Sequence, residues 1–257
     1  MNLFKDIESR VIIITGGYGH LGATMCEVLA DYGGKVYVAG RSKEKFDDRF
    51  NAVSGDINFV RMDVKNKASI TTAFESIYKT EKQIDVLINN AHFGATDHPE
   101  KLSAEDWRIG MEGGINHYFD TIMAVIPFLK KSENGKIINI ASMYGVVVPD
   151  LSIYDGREEL LNPANYGTSK AAVIHLSKYY AMYLAKYNIN VNSVSPGPFP
   201  SEAVQKDSAF IKRLEEKSKL KRIGMPKDLK GIVLLLSSNA SNYITGQNIV
   251  VDGGWTL

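Results

Sequence analysis

Short β-branched runs alternate along this chain with longer stretches whose apolar positions recur at helical spacing. The runs are RVIIIT at 10–15, KVYVA at 35–39, INFVRM at 57–62, IDVLIN at 84–89, KIINIA at 136–141, INVNSV at 189–194 and NIVV at 248–251. Several are apolar almost throughout, the pattern of strands covered on both faces. The segments between them predict helices over 20–32, 43–53, 66–80, 103–131, 165–187, 203–218 and 226–238. This alternation predicts an α/β fold, a doubly wound parallel sheet of about seven strands with helices on both faces. No linker, repeat or low-complexity tract interrupts it, so a single domain over 1–257 is expected.

Composition narrows the function classes. Thirty basic and 29 acidic residues leave a net charge of +1, which provides no electrostatic basis for binding nucleic acid or an anionic membrane. No apolar run reaches the length of a spanning helix. The N-terminal apolar run is too short for a secretory signal and reads as a strand. Cys26 is the sole cysteine, so no internal disulfide forms, which suits a reducing cytoplasm.

The first predicted strand runs directly into TGGYGHLG, residues 15–22, and a helix follows. Glycines there let the backbone approach a pyrophosphate, and the helix N-terminus offers it N–H groups and a positive dipole end. A turn without ligand is the alternative, but the strand–loop–helix context favours a dinucleotide site. Gly16, Tyr18, Gly19, His20, Leu21 and Gly22 are its candidate residues. The second strand ends in VAGRS, 38–42. A carboxylate there would accept from ribose hydroxyls; Arg41 instead pairs with a 2′-phosphate. With Ser42 beside it, this favours NADP(H), with NAD(H) as the alternative.

YGTSK, 166–170, opens a strong helical pattern, and residues four apart share a helix face. Tyr166 and Lys170 therefore project side by side. A tyrosine with its ordinary pKa of about 10 exchanges protons poorly near neutrality. A neighbouring ammonium favours the phenolate and makes the group a usable acid or base. The pair alone is common in helices; its place after a strand ending IINIAS is not.

Taken in order, the glycine loop, Asp63-Val64, NNA at 89–91, GGINHYF around Asn116, IINIASMYG at 137–145, YGTSK, NVNSVSPGP at 190–198 and the segment 222–254 resemble the short-chain dehydrogenase/reductase family over essentially the whole chain. The resemblance implies a Rossmann fold, a nicotinamide cofactor and no metal. It implies that Tyr166 transfers the proton, that Lys170 lowers its pKa and meets the nicotinamide ribose, and that Ser142 donates to the substrate oxygen. Asn116 would hold Lys170 through a water. Asp63 would meet the adenine, unless it caps the next helix, and Val64 would flank the ring. Asn89 would support the central strand near the cofactor ribose, with Asn90 and Ala91 beside the cofactor. Pro196-Gly197 would turn beside the nicotinamide. Homodimers or homotetramers built on the long helices are also implied.

Departures from the family pattern bear on the substrate. The glycine spacing, TGxxGxxG, matches the longer branch that modifies sugar nucleotides. His92 stands where a glycine usually follows NNA, near the expected substrate mouth, where it either titrates or simply faces solvent. Ser142 and Tyr166 are farther apart than the family's usual gap, so residues 146–163 should loop over the site or serve an oligomer contact. SPGPFPS stiffens the start of the usual lid. Tyr144, Tyr154 and Phe199 join His92 and Ser142 as candidate substrate contacts. The polar insert suits a sugar-like small molecule, in a style resembling bacterial surface-sugar and flagellin-glycan members. The expected reaction interconverts a secondary alcohol and a ketone. The alternatives are sugar-nucleotide epimerisation or dehydration with retained cofactor, and a non-catalytic cofactor-binding regulator.

Overall fold

A computed structural model describes residues 3–94 and 98–257. Its seven strands are β1 (Val11–Thr15), β2 (Lys35–Gly40), β3 (Ile57–Arg61), β4 (Val86–Asn89), β5 (Lys136–Ile140), β6 (Asn190–Pro196) and β7 (Asn248–Val251). They form one sheet in the order β3-β2-β1-β4-β5-β6-β7, and every neighbouring pair is parallel. The chain returns from the β3 edge to the centre at β4, so a crevice opens at the carboxyl ends of β1 and β4.

Side-chain alternation sends β1 into two cores. Ile12 and Ile14 pack with Leu29 of α1 (His20–Asp31) and Val233 of α9 (Lys230–Ser237). Val11 and Ile13 pack with Phe74 of α3 (Lys67–Glu81), Ile122 of α5 (His117–Leu129) and Leu184 of α6 (Ala164–Leu184). Both faces are covered, which is why these strands read as unbroken apolar runs. Side-chain caps at several helix starts satisfy otherwise orphaned amides. Ser42 caps α2 (Lys43–Phe50), Asn66 caps α3, and Ser103 caps α4 (Ala104–Met111). Among the described residues no helix is long and apolar enough to cross a membrane.

The structure departs from the expected elements in three places. The single helix expected over 103–131 is α4 and α5 joined by a π-turn, Glu112–Asn116. Gly113 and Gly114 cause this: a Cβ at Gly113 would lie 1.7 Å from the Phe93 carbonyl oxygen, and one at Gly114 would lie 2.0 Å from Ser169 Oγ. Only bare backbone permits so close an approach to α6. The helix expected over 203–218 is α7 (Glu202–Gln205) and α8 (Ser208–Lys217), the second capped by Asp207, which accepts from the Phe210 amide at 3.0 Å. Residues 146–163 hold two 3-10 turns, Leu151–Tyr154 and Glu158–Leu160. Ile153 and Tyr154 there join Phe210, Leu214 and Trp255 in a third apolar cluster. Arg157 pairs with Asp207, and Lys217 with Asp150, so the insert is clasped to α8.

Candidate active site

The glycine loop is built from contacts that exclude side chains. Gly16 adopts φ +63°, a conformation that strains other residues. A Cβ at Gly22 would meet the Gly16 carbonyl oxygen at 2.6 Å and Asn90 Nδ2 at 2.9 Å. Gly19 begins α1 with no side-chain cap, leaving the helix N-terminus free for an anion. Asn90 braces the loop: its Nδ2 donates to the Thr15 and Gly16 carbonyls at 3.1 Å. Above lies a cleft of about 400 Å³. Tyr18, His20, Leu21, Arg41, Asp63, Val64, Ala91 and His92 line it, with Gly16, Gly19 and Asn90. This cradle fits a nicotinamide dinucleotide.

Several expected contacts fall elsewhere. Ser42 Oγ accepts from the Lys45 amide at 3.2 Å, so this side chain caps α2. Asp63 is not the cap of α3; its Oδ1 accepts from the Lys65 amide at 3.0 Å, and Asn66 caps the helix. Asn89 supports the central strand. It is fully buried, accepts from Thr121 Oγ1 at 2.8 Å and donates to Asn139 Oδ1 at 2.9 Å. Asn139 in turn donates to Ser177, so this buried chain ties α5 and α6 to the sheet centre. Pro196 is buried at the end of β6, and Gly197 presents the surface instead.

The proton-handling residues converge at the end of β5. Ser142 follows that strand and is 5% exposed. Its hydroxyl accepts from the Tyr144 amide at 3.1 Å and lies beside the phenol of Tyr166, in the first turn of α6. Lys170, one turn on, is 3% exposed; its ammonium donates to the Ile140 carbonyl at 2.9 Å and to Tyr118 Oη at 3.1 Å. Burial pushes Lys170 from its ordinary 10.5 down to about 7. Burial also raises the Tyr166 phenol, against the opposing hydrogen bond from Ser142. The expected lowering of Tyr166 is not met in the protein alone: burial is the largest cause of the shift, and Tyr154 adds to it. Lys170 lies 5.8 Å from the Tyr166 ring centroid.

Asn116 is corrected. It is exposed, and its Nδ2 donates to Glu112 Oε2 at 2.7 Å, pointing along the helix surface away from Lys170. The π-turn rotates it off the expected face, and Tyr118 holds Lys170 instead. Tyr118 is fully buried and donates to the Ile140 carbonyl at 2.8 Å. Its signal in the sequence was weak: one tyrosine among 13, on a helix whose phase a π-turn resets.

Ser142 and Tyr166 also open onto a second cavity of about 200 Å³. Tyr144, Tyr154, Asn162, Gly197 and Phe199 line it. The Tyr144 and Tyr154 hydroxyls lie 2.7 Å apart, so the insert supplies part of the wall. His92 stands between cleft and cavity, its ring edge-on to Tyr166 at 5.1 Å and 81°.

Known proteins resemble this chain over nearly its whole length. A family model described as enoyl-(acyl carrier protein) reductase matches residues 19–256. The 3-oxoacyl-[acyl-carrier-protein] reductase FabG of Thermotoga maritima is 30% identical, over 98% of this chain and 99% of its own. A short chain dehydrogenase of Leptospira borgpetersenii, solved with bound NAD+, superimposes with a TM-score of 0.86 at 32% identity, covering 96% of this chain and 93% of that one. A gluconate 5-dehydrogenase of Burkholderia cenocepacia, solved with NADP and tartrate, reaches 0.83 at 29% identity, over 96% and 95%. Because the likeness runs from end to end rather than through the glycine loop alone, this chain belongs to the short-chain dehydrogenase/reductase family of oxidoreductases.

Proposed function

We propose that this enzyme interconverts a secondary alcohol and a ketone on a small polyhydroxylated molecule, with a nicotinamide dinucleotide as hydride carrier. The observation that carries this reading is the meeting of Ser142 and Tyr166 in the lining of a cavity of about 200 Å³ whose walls mix polar and apolar side chains. That volume is below the ~300–1,000 Å³ of sites for drug-sized ligands, so it suits a single sugar-sized ring or chain. Tyr144, Tyr154 and Asn162 offer hydroxyl and amide partners to such a molecule. The bound tartrate of the gluconate 5-dehydrogenase neighbour supports a polyhydroxylated class.

In this reading the bound dinucleotide supplies hydride chemistry, and the chain supplies orientation and proton transfer. The bare α1 N-terminus and the glycine loop hold the pyrophosphate. Ser142 donates to the substrate oxygen and steadies charge developing there. Tyr166 gives or takes the proton. Its raised pKa keeps it protonated at neutral pH, the form a ketone reduction requires. Lys170 is fixed by Ile140 and Tyr118 so that its ammonium faces the phenol and the ribose. NADP(H) is the preferred form: Arg41 and Lys65 line the cleft beyond β2 and β3, where a 2′-phosphate needs cations.

The apolar side chains Met123 of α5 and Met182 of α6 are 49% and 83% exposed. Phe119, Tyr179 and Tyr183 extend the same pair of helices. Apolar surface of this kind is covered by a second copy, so the enzyme is a homodimer or a tetramer built from it. A cytoplasmic location accompanies this reading. The test is a panel of sugars, sugar acids and small cyclic alcohols, followed at the reduced-nicotinamide absorbance band with each cofactor. Net turnover that Tyr166→Phe abolishes supports the reading. Product formation without net cofactor change points to epimerisation with retained cofactor. Cofactor binding without turnover of any panel member would leave the regulator reading standing.

A further inference from the structure

The π-turn carries two glycines, and the side chains of Phe93, Ser169 and His92 lie against them. Gly113 and Gly114 carry no side chain, and a Cβ placed on Gly114 would come within 3.9 Å of His92 Cε1. His92 thus occupies the space beside that turn. It meets the Tyr166 ring edge-on, lines the dinucleotide cleft and keeps an exposed face toward it. Asn116, the amide the family resemblance would place here, is bonded to Glu112 on the outer surface.

A second imidazole braces the same turn. His117 is fully buried, and its Nε2 bonds the Gly113 carbonyl at 3.1 Å. The Gly113 carbonyl, displaced by the π-turn, is also a hydrogen-bond partner for His92.

We propose that His92 is a proton-relay and positioning residue of this active site, its imidazole passing protons between cleft solvent and the Tyr166–Lys170 pair. This rests on the oxidoreductase reading above. When Tyr166 gives its proton to a substrate oxygen, its O–H bond breaks and the phenolate must be refilled. The imidazole takes a proton from cleft water on one nitrogen as it releases the proton on the other toward the pair. It ends with unchanged charge, and hydroxide remains in solvent to match the proton taken up by substrate. The reverse sequence serves alcohol oxidation. Such a relay requires a neutral ring. Lys170 and Tyr166 face His92 from α6 and His117 faces it from α5, whereas Glu112 is turned to Asn116. The surrounding protein and the Lys170 ammonium hold His92 below the ordinary imidazole value, so it is neutral near pH 7.

The test uses the full-length enzyme with cofactor. His92→Ala should lower kcat roughly 10- to 100-fold, with cofactor affinity, read by nucleotide fluorescence, nearly unchanged. Added imidazole should restore part of that loss and restore the wild-type pH profile. His92→Gln, which hydrogen-bonds but relays no proton, should stay slow. Full activity in His92→Gln, or a His92→Ala loss that imidazole does not relieve, overturns the relay. Nitrogen NMR of the His92 ring needs no substrate and separates this from failure of the oxidoreductase reading. His92 should titrate below the ordinary value, and its midpoint should rise in Lys170→Met. An ordinary midpoint that ignores Lys170→Met overturns the proposal.

Discussion

Lys170→Met should make the protein more stable and catalytically dead, and the gain should depend on pH in a defined way. Lys170 is 3% exposed and has no carboxylate partner; burial takes it from 10.5 to about 7. The unfolded chain therefore binds the proton more tightly than the folded one. Below about pH 7 both states are protonated and the full cost of burying the charge is present. That cost disappears as pH rises toward the unfolded value. At about 1.4 kcal/mol per pH unit, the cost is on the order of 4 kcal/mol at pH 7 and about 2 at pH 9. Methionine fills similar volume without the charge. It gives up two hydrogen bonds worth about 1 kcal/mol each, but Tyr118 Oη and the Ile140 carbonyl still satisfy one another. The net expectation is a stabilisation of roughly 1–3 kcal/mol at pH 7. Urea denaturation at pH 6, 7, 8 and 9 reads it directly. Wild type should gain about 2 kcal/mol relative to Lys170→Met between pH 7 and 9. A difference that is flat across this range, or a variant less stable than wild type at pH 7, would refute the claim that burial governs this lysine.

Other consequences follow from single contacts. Gly114→Ala places a Cβ 2.0 Å from Ser169 Oγ; it should cost about 1–3 kcal/mol, seen as a lower urea midpoint, and should lower kcat by shifting α6. Tyr154→Phe leaves the Tyr144 hydroxyl without its 2.7 Å partner; the loss of about 1–2 kcal/mol should appear as a raised substrate KM, with cofactor affinity unchanged. Arg41→Asp, in the cleft beyond β2, should weaken NADP(H) at least about tenfold while sparing NAD(H), measured by fluorescence titration. Equal weakening of both cofactors would remove Arg41 from 2′-phosphate recognition.

All seven strands were legible because each is a local apolar run bounded by turn residues, and the observed strands fall within two residues of the expected ones. The glycine loop was legible because its glycines sit where strand meets helix. Ser142, Tyr166 and Lys170 were legible through order along the chain. The errors came where phase along a helix mattered. Asn116 stands in a plausible segment, but a π-turn rotates it outward and brings Tyr118 to Lys170. Ser42 and Asn89 also take structural partners, Ser42 as a helix cap and Asn89 in a buried amide chain. Hydrogen-bond capacity is finite, and which partner takes it depends on residues distant in sequence.

The sequence by itself determined the parallel α/β layering, the glycine-loop cradle and the placement of Tyr166 and Lys170 one turn apart on a helix. These follow from periodicity, glycine placement and four-residue spacing, which are properties of neighbouring residues. Only the tertiary structure decided what surrounds that pair. It placed Lys170 among uncharged oxygens, so burial rather than ion pairing sets its proton affinity. It clasped residues 146–163 onto α8, sizing the cavity. It set His92 beside Gly114 of the π-turn and edge-on to the Tyr166 ring. Each outcome depends on solvent exclusion and close approach between distant segments, which local pattern does not encode.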